Sequence, residues 1–203
     1  MSFTVRKKIG ELSPSSASYP IFSIPAENSA LKRLHELSGQ LMQEKPLDSF
    51  LTSIVEAAIE ITEADFGNVQ LYDEDSGTLR IAVSRGFEKA FLDFFASVSV
   101  DDPAVCGTAM RRGERVVVED VTKSDIFAGT DALDVVLKAG VRAVQSTPLI
   151  TRSGRFIGMF STHYRSTRAF SDRDLRLLDM LARQAADAIE RHNTAAKRSS
   201  RTG

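Results

Sequence analysis

The spacing of apolar positions changes period several times along the chain, and each change predicts an element. Between Ala30 and Gln43, Leu31, Leu34, Leu37 and Leu41 recur every three or four residues, which predicts a helix with one apolar side. Pro46 then opens a second helix, where a missing N–H does no harm. Its apolar set, Leu47, Phe50, Leu51, Ile54, Val55, Ala58 and Ile59, follows the same spacing closely. Next the period drops to two. Asn68 to Asp73 and Thr78 to Arg85 read as strands of a hairpin, joined by DEDSG with Gly77 free to take positive φ. EKAFLDFFA (88–96) and AVCGTAMRR (104–112) read as short helices, the second stopped by Gly113. ERVVVEDV is a short β-branched strand, and DALDVVLKA (131–139) a helix that ends at Gly140. Two longer strands, 141–150 and 155–164, flank the turn TRSG. A last helix starts at Ser171, which is spaced from Asp174 like an N-cap from an acidic N3 residue, and runs to about His192.

Hairpins imply antiparallel pairing, with helices covering the sheet. The expected fold class is therefore α+β. It has a central antiparallel sheet of five to six strands, the first and last helices layered on one face, and short helices and loops on the other. The domain spans 30–192. It follows a Ser- and Pro-bearing flexible segment, 1–29, and precedes a polar tail, 193–203.

Composition narrows the chemistry. A net charge of −1 in 203 residues gives no whole-chain footprint for nucleic acid. No apolar run is long enough to span a bilayer, and the basic N-terminus has no apolar stretch of the signal-peptide kind after it. A single cysteine, Cys106, excludes an internal disulfide and suits a reducing compartment, so a cytoplasmic location is expected. His35, His163 and His192 lie far apart, without metal-ligand spacing, so no metal site is expected. No Walker A loop, G-x-S-x-G elbow or kinase signature set appears.

The candidate chemistry lies in polar residues inside strands that otherwise read as core. Met159, Ser161 and His163 share one face of their strand, and Phe160, Thr162 and Tyr164 share the other. Ala143, Gln145 and Thr147 likewise share a face. A face holding Gln145, Ser161 and His163 would make a poor apolar core but a good pocket wall with a few placed hydrogen-bonding groups. The plainer readings remain open at this point. Gln145 and Ser161 could bond to nearby backbone. His163 could sit in water at an open strand end. Cys106 is more often a small buried hydrophobe than a reactive thiol. FLDFF could be core or pocket lid, and Asp125 could cap a turn.

Two stretches, CGTAMRRGERVVVEDVTKSDIF (106–127) and AGVRAVQSTPLITRSGRFIGMFSTHY (139–164), resemble the GAF domain family, and the likeness extends over about 30–192. The resemblance implies a sensory or regulatory module. Such modules are usually dimeric and often attached to a histidine kinase or another output domain, as in two-component signalling. It also implies a pocket between one sheet face and the helices and loops after the first hairpin. Carried over by position, the pocket would draw on Phe91, Phe95, Cys106, Met110, Asp125, Phe127, Gln145, Ser161 and His163. It implies no catalytic residue and no named cofactor.

Relatives of other classes match the same residues less well. The branch that reduces free methionine sulfoxide relies on several cysteines, and Cys106 has no partner within the chain. Bilin-binding relatives attach pigment through a cysteine commonly followed by histidine, whereas Gly107 follows here. A haem or redox sensor would need an axial ligand, for which His163 is conceivable. The N-K-x-F-D-E type motif of cyclic-nucleotide sensors is absent. An enzyme is therefore not expected. For the homodimer, Leu175, Leu178, Ala182, Ala185 and Ile189 form a seam of threes and fours on the last helix, with Leu31, Leu34 and Leu41 as compatible positions on the first.

Overall fold

The computed structural model describes residues 32–39 and 46–199. Helical turns cover 32–39 (α1), followed by α2 (Leu47–Thr62) and the hairpin β1 (Phe66–Asp73) and β2 (Thr78–Arg85). Next come α3 (Lys89–Phe94), β3 (Ser97–Val98), α4 (Val105–Arg112), β4 (Val116–Val118), a 3-10 turn (Val121–Lys123) and α5 (Asp131–Lys138). The hairpin β5 (Ala143–Ile150) and β6 (Phe156–Tyr164) leads into α6 (Asp172–Ser199). Six strands form one sheet in the order β3-β2-β1-β6-β5-β4, every pairing antiparallel. This is the expected α+β architecture.

Two elements depart from expectation. β3 is only two residues long, too short to show a period, and exists because Val98 and Ser97 pair with Leu79 and Arg80 at the sheet edge. α6 runs past His192 to Ser199, because Thr194–Ser199 contains no helix breaker and adds Ala, Lys and Arg. Its start is as the spacing predicts: Ser171 Oγ accepts the Asp174 backbone N–H at 3.1 Å. The segment 1–29, Leu31, Leu41 and the last residues of the tail lie outside the described residues.

The sheet separates two cores. On one face α1, α2 and α6 pack against Val69, Leu149 and Phe160. On the other, α3, α4 and α5 pack against Phe66, Val144 and Met159. Close approach is possible because glycine stands where a side chain would collide. A β-carbon at Gly158 would lie 2.2 Å from the Gln70 carbonyl oxygen, and one at Gly107 would lie 2.6 Å from that of Ser99.

The helical layer is tied to the sheet by two arginines. Arg115 donates to Thr147 Oγ1 and the Leu175 carbonyl and pairs with Asp179. Arg168 donates to the Thr62 carbonyl at 2.7 Å and to Asp174 at 2.9 Å, with its guanidinium 4.4 Å above the Tyr164 ring. One side chain thus joins the end of α2, the start of α6 and the end of β6.

The dimer seam expected on α6 requires correction. Leu178, Ala182, Ala185 and Ile189 are buried in the same core as Leu34, between α1, α2 and the sheet. Leu175 is half-buried. This stripe meets the chain's own sheet, whose apolar face needs covering, and offers no free seam to a second copy. Leu178→Ala should therefore cost about 2–5 kcal/mol in a urea melt, the usual range for a buried leucine. A charge at the same position should abolish the cooperative transition, not yield a folded monomer.

Candidate functional site

The register of the central strands decides which polar groups face which core. β1 and β6 pair with Asn68 opposite Ser161 and Phe66 opposite His163. β5 and β6 pair with Ser146 opposite Ser161, Val144 opposite His163 and Gln145 opposite Thr162. Directly opposed residues share a face. One face therefore carries Asn68, Gln70, Ser146, Ser161 and His163. The other carries Gln145, Thr147, Thr162 and Tyr164. The expectation that Gln145 joins Ser161 and His163 is overturned. Alternation fixes faces within a strand, but the match between strands depends on the register set by the turn and by the shift between Leu149 and Ile150.

On the helical side the polar groups satisfy one another. Thr147 Oγ1 donates to Gln145 Oε1 (2.8 Å), and Gln145 Nε2 donates to Thr162 Oγ1 (3.2 Å). Thr162 meets the Tyr164 hydroxyl (3.0 Å), which donates to Thr62 Oγ1 (3.1 Å), and Thr62 donates to the Ala58 carbonyl (2.7 Å). Gln145 is thus a link in a closed structural network.

The opposite face differs. Among the described residues, five buried side-chain atoms lack a hydrogen-bond partner in the protein, and three of them, Asn68 Oδ1, Gln70 Oε1 and His163 Nδ1, border one cavity. The sheet supplies its floor through Asn68, Gln70, Val144, Ser161 and His163. The walls come from Phe91 of α3 and Phe95 just after it, the start of α4 at Ala104, Val105 and Cys106, and Phe127 and Val136. The space within is about 30 Å³, on a scale where one water needs roughly 10–15 Å³. Ser161 Oγ is 2.7 Å from Ser146 Oγ. Stacked rings close one side: Phe87 lies 3.9 Å from Phe91 and nearly parallel to it, and His163 meets both edge-on at 4.9 and 5.9 Å.

Of the residues singled out in the sequence, Phe91, Phe95, Cys106, Phe127, Ser161 and His163 come together around this cavity. Met110 does not. It sits at the far end of α4, one turn from Cys106, half-buried and packed among apolar side chains. Asp125 is exposed in the turn before Phe127 and does not line the enclosed space. Asn68 and Gln70 were missed. They are polar residues two apart in FGNVQLYD, the same signal that drew attention to Ser161 and His163.

The cavity carries no charge near neutral pH. Burial pushes the His163 imidazole down to about 3, so it is neutral. Burial pushes the Cys106 thiol up to about 11, against hydrogen bonds from the Gly107 backbone and the Gln70 side chain that favour the thiolate, so it stays protonated. No Asp, Glu, Lys or Arg lines the space. Among the described residues no group of three or more His, Cys, Asp or Glu side chains is placed to hold a metal ion, and no helix is long and apolar enough to cross a membrane.

The sequence profile of the GAF domain matches residues 44–190. A methyl sulfide methyltransferase-associated sensor from Methanosarcina acetivorans is 26% identical over 145 residues, covering 71% of this chain and 14% of that protein, so the chain spans about a seventh of this relative's length. Among solved structures, the GAF domain of a phosphoenolpyruvate-protein phosphotransferase from Coxiella burnetii superposes with a TM-score of 0.70 at 16% identity, covering 85% of this chain and 98% of that one. Free methionine-R-sulfoxide reductase from Neisseria meningitidis, in complex with its substrate, gives 0.67 at 21% identity, covering 86% and 95%.

Two outcomes are expected of the ligand-free protein. An unfolded histidine takes up its proton below about pH 6.5, whereas native His163 does so only near 3. Stability is therefore lost as pH falls through this window and levels off below it, by roughly 5 kcal/mol in total. His163→Leu should flatten that part of a stability–pH profile. Asn68→Leu, which removes an unpaired buried oxygen at similar volume, should leave stability unchanged or raise it by about 1 kcal/mol in a urea melt.

Proposed function

Because the chain belongs to the GAF domain family, we propose that it is a cytosolic sensory module that binds a small molecule in the cavity between β1, β6 and helices α3–α5. In this reading the module passes the change to a signalling partner such as a histidine kinase. The observation that carries the reading is the contrast between the two sheet faces. Five polar side chains on the helical side satisfy one another, while three polar atoms on the cavity side have no protein partner. A purely structural sheet gains nothing from such atoms, each of which costs about 1–3 kcal/mol when left unmade.

β6 provides the route outward. Ser161 and His163 face the cavity, and the alternate residues Phe160, Thr162 and Tyr164 face the helical layer. Tyr164 lies beneath Arg168, which holds the start of α6 through Asp174. A ligand that displaces β6 shifts the seat of α6, and binding selects between two arrangements of the helical layer.

The other classes fit the residues less well. The thiol chemistry of a methionine sulfoxide reductase needs thiolate and a second cysteine, and Cys106 is alone and held protonated. A tetrapyrrole or haem would need the cavity to open far more than a single small ring does. The module is therefore read as non-enzymatic. Dimerisation through the terminal helices stays in the reading on a changed footing. With the leucine–alanine stripe buried, a second copy would meet the outer side of α6, where Met180 is exposed among Arg176, Asp179 and Arg183.

Native mass spectrometry of gently purified protein tests the binding reading. The expected spectrum holds a small organic mass on the chain, lost in Gln70→Met. Bare chains from both proteins, together with no thermal shift across a metabolite set, would defeat it. Sedimentation tests the second part: Met180→Glu should weaken a dimer without altering the melting temperature.

A further inference from the structure

Resting on that reading, we infer that the cavity is built for an uncharged, flat cyclic or aromatic molecule that offers N–H donors, such as an amide, to the unpaired acceptors of β1.

Three features define this class. The first is the kind of polar atom left open. Asn68 Oδ1 and Gln70 Oε1 are acceptors on alternate residues of β1, about 1–4% exposed and roughly 7 Å apart along the strand. Both residues line the cavity, and neither oxygen has a hydrogen-bond partner in the protein. A ligand answers these atoms with N–H or O–H groups. An ether, ester or hydrocarbon leaves them as they are, and a site built around buried acceptors rejects molecules that lack the donor.

The second feature is the opposite wall. α4 begins at the cavity with Ala104, Val105 and Cys106, a wall of small apolar side chains and a protonated thiol. The Cys106 and Gly107 backbone N–H groups serve the Cys106 sulfur, so the ligand's donors are met at β1 alone. Gly107 keeps this helix end close against the loop at Ser99.

The third feature is charge and shape. The lining has no ionised side chain, so a carboxylate or phosphate would enter an apolar space without a counter-ion, at a large desolvation cost. Phe91, Phe95 and Phe127 are the large apolar faces, and His163 stands edge-on to the Phe87–Phe91 stack. Flat rings fit between such faces better than branched aliphatic groups. The enclosed space of about 30 Å³ is smaller than any such ligand, so entry requires α3 to move. This helix has six residues and no side-chain cap, and Phe94 on it is 45% exposed.

Three probes of nearly equal size separate these features on the unmodified chain: benzamide, acetophenone and benzoate, each titrated to millimolar concentration and followed by amide shifts in ¹⁵N–¹H spectra. Benzamide should shift residues of β1 and the start of α4. Acetophenone, which keeps the carbonyl but lacks the donor, and benzoate, which adds the charge, should bind at least tenfold more weakly. Gln70→Met, checked for a native spectrum, should reduce the preference for benzamide over acetophenone at least threefold. Benzoate binding in the cavity as tightly as benzamide, or acetophenone matching benzamide, would overturn the ligand class while leaving the cavity a binding site. Shifts from none of the three would overturn both the class and the binding reading beneath it.

Discussion

The antiparallel pairing of β1 with β6 sits at the middle of the sheet, and almost every other feature is placed by it. It puts Phe66 opposite His163 and Asn68 opposite Ser161 on one face, and Val69 opposite Phe160 on the other. A slip of one residue would exchange the faces and bury the unpaired acceptors under α2. Gly158 allows the strands their approach at Gln70, and Gly67 lets α2 lie close, since a β-carbon there would be 2.9 Å from Val55. The register is held from both sides by apolar packing, with the hydrogen-bonded chain from Thr147 to Thr62 as a further lock.

This arrangement assigns different work to the two cores. On the helical side the polar groups of the sheet are paired from Thr147 to Tyr164, and the leucines and alanines of the helices interlock over them. The side beneath α3, α4 and α5 holds the cavity and three polar atoms without a protein partner. Burial forces its thiol and its imidazole into their neutral forms. The paired polar network thus lies in one layer and the cavity with its unpaired atoms in the other, with β6 as their common wall.

The architecture was legible in the sequence because most elements carry a full period of apolar residues, as in α2, or a clear turn, as at Gly77 and TRSG. The cavity was legible in part. Ser161 and His163 stood out as polar positions in an apolar strand, and Asn68 and Gln70 obey the same rule in β1. Gln145 obeys it too, yet faces the other way, because facing depends on how strands are matched and not on what either contains. The α6 stripe shows a related limit. Leu178 and Ala185 have the spacing of a seam, but spacing reports that a face is buried without saying whether the sheet or a second chain buries it. Cys106 shows a third: its neutrality follows from surroundings that no local motif records.

α6 combines a buried inner half with a mostly exposed end. Its 28 residues extend about 42 Å. The first half is clamped by Arg168, Arg115 and the core, so the helix cannot peel away without emptying that core of its largest contributors. Movement at its seat can therefore leave the domain only as a change of angle. Over such a length, a pivot of about 5° near Asp174 carries the far end through roughly 3 Å. The domain is built as a rigid pointer: displacements too small to reorganise the sheet are magnified by distance alone at the end of the helix.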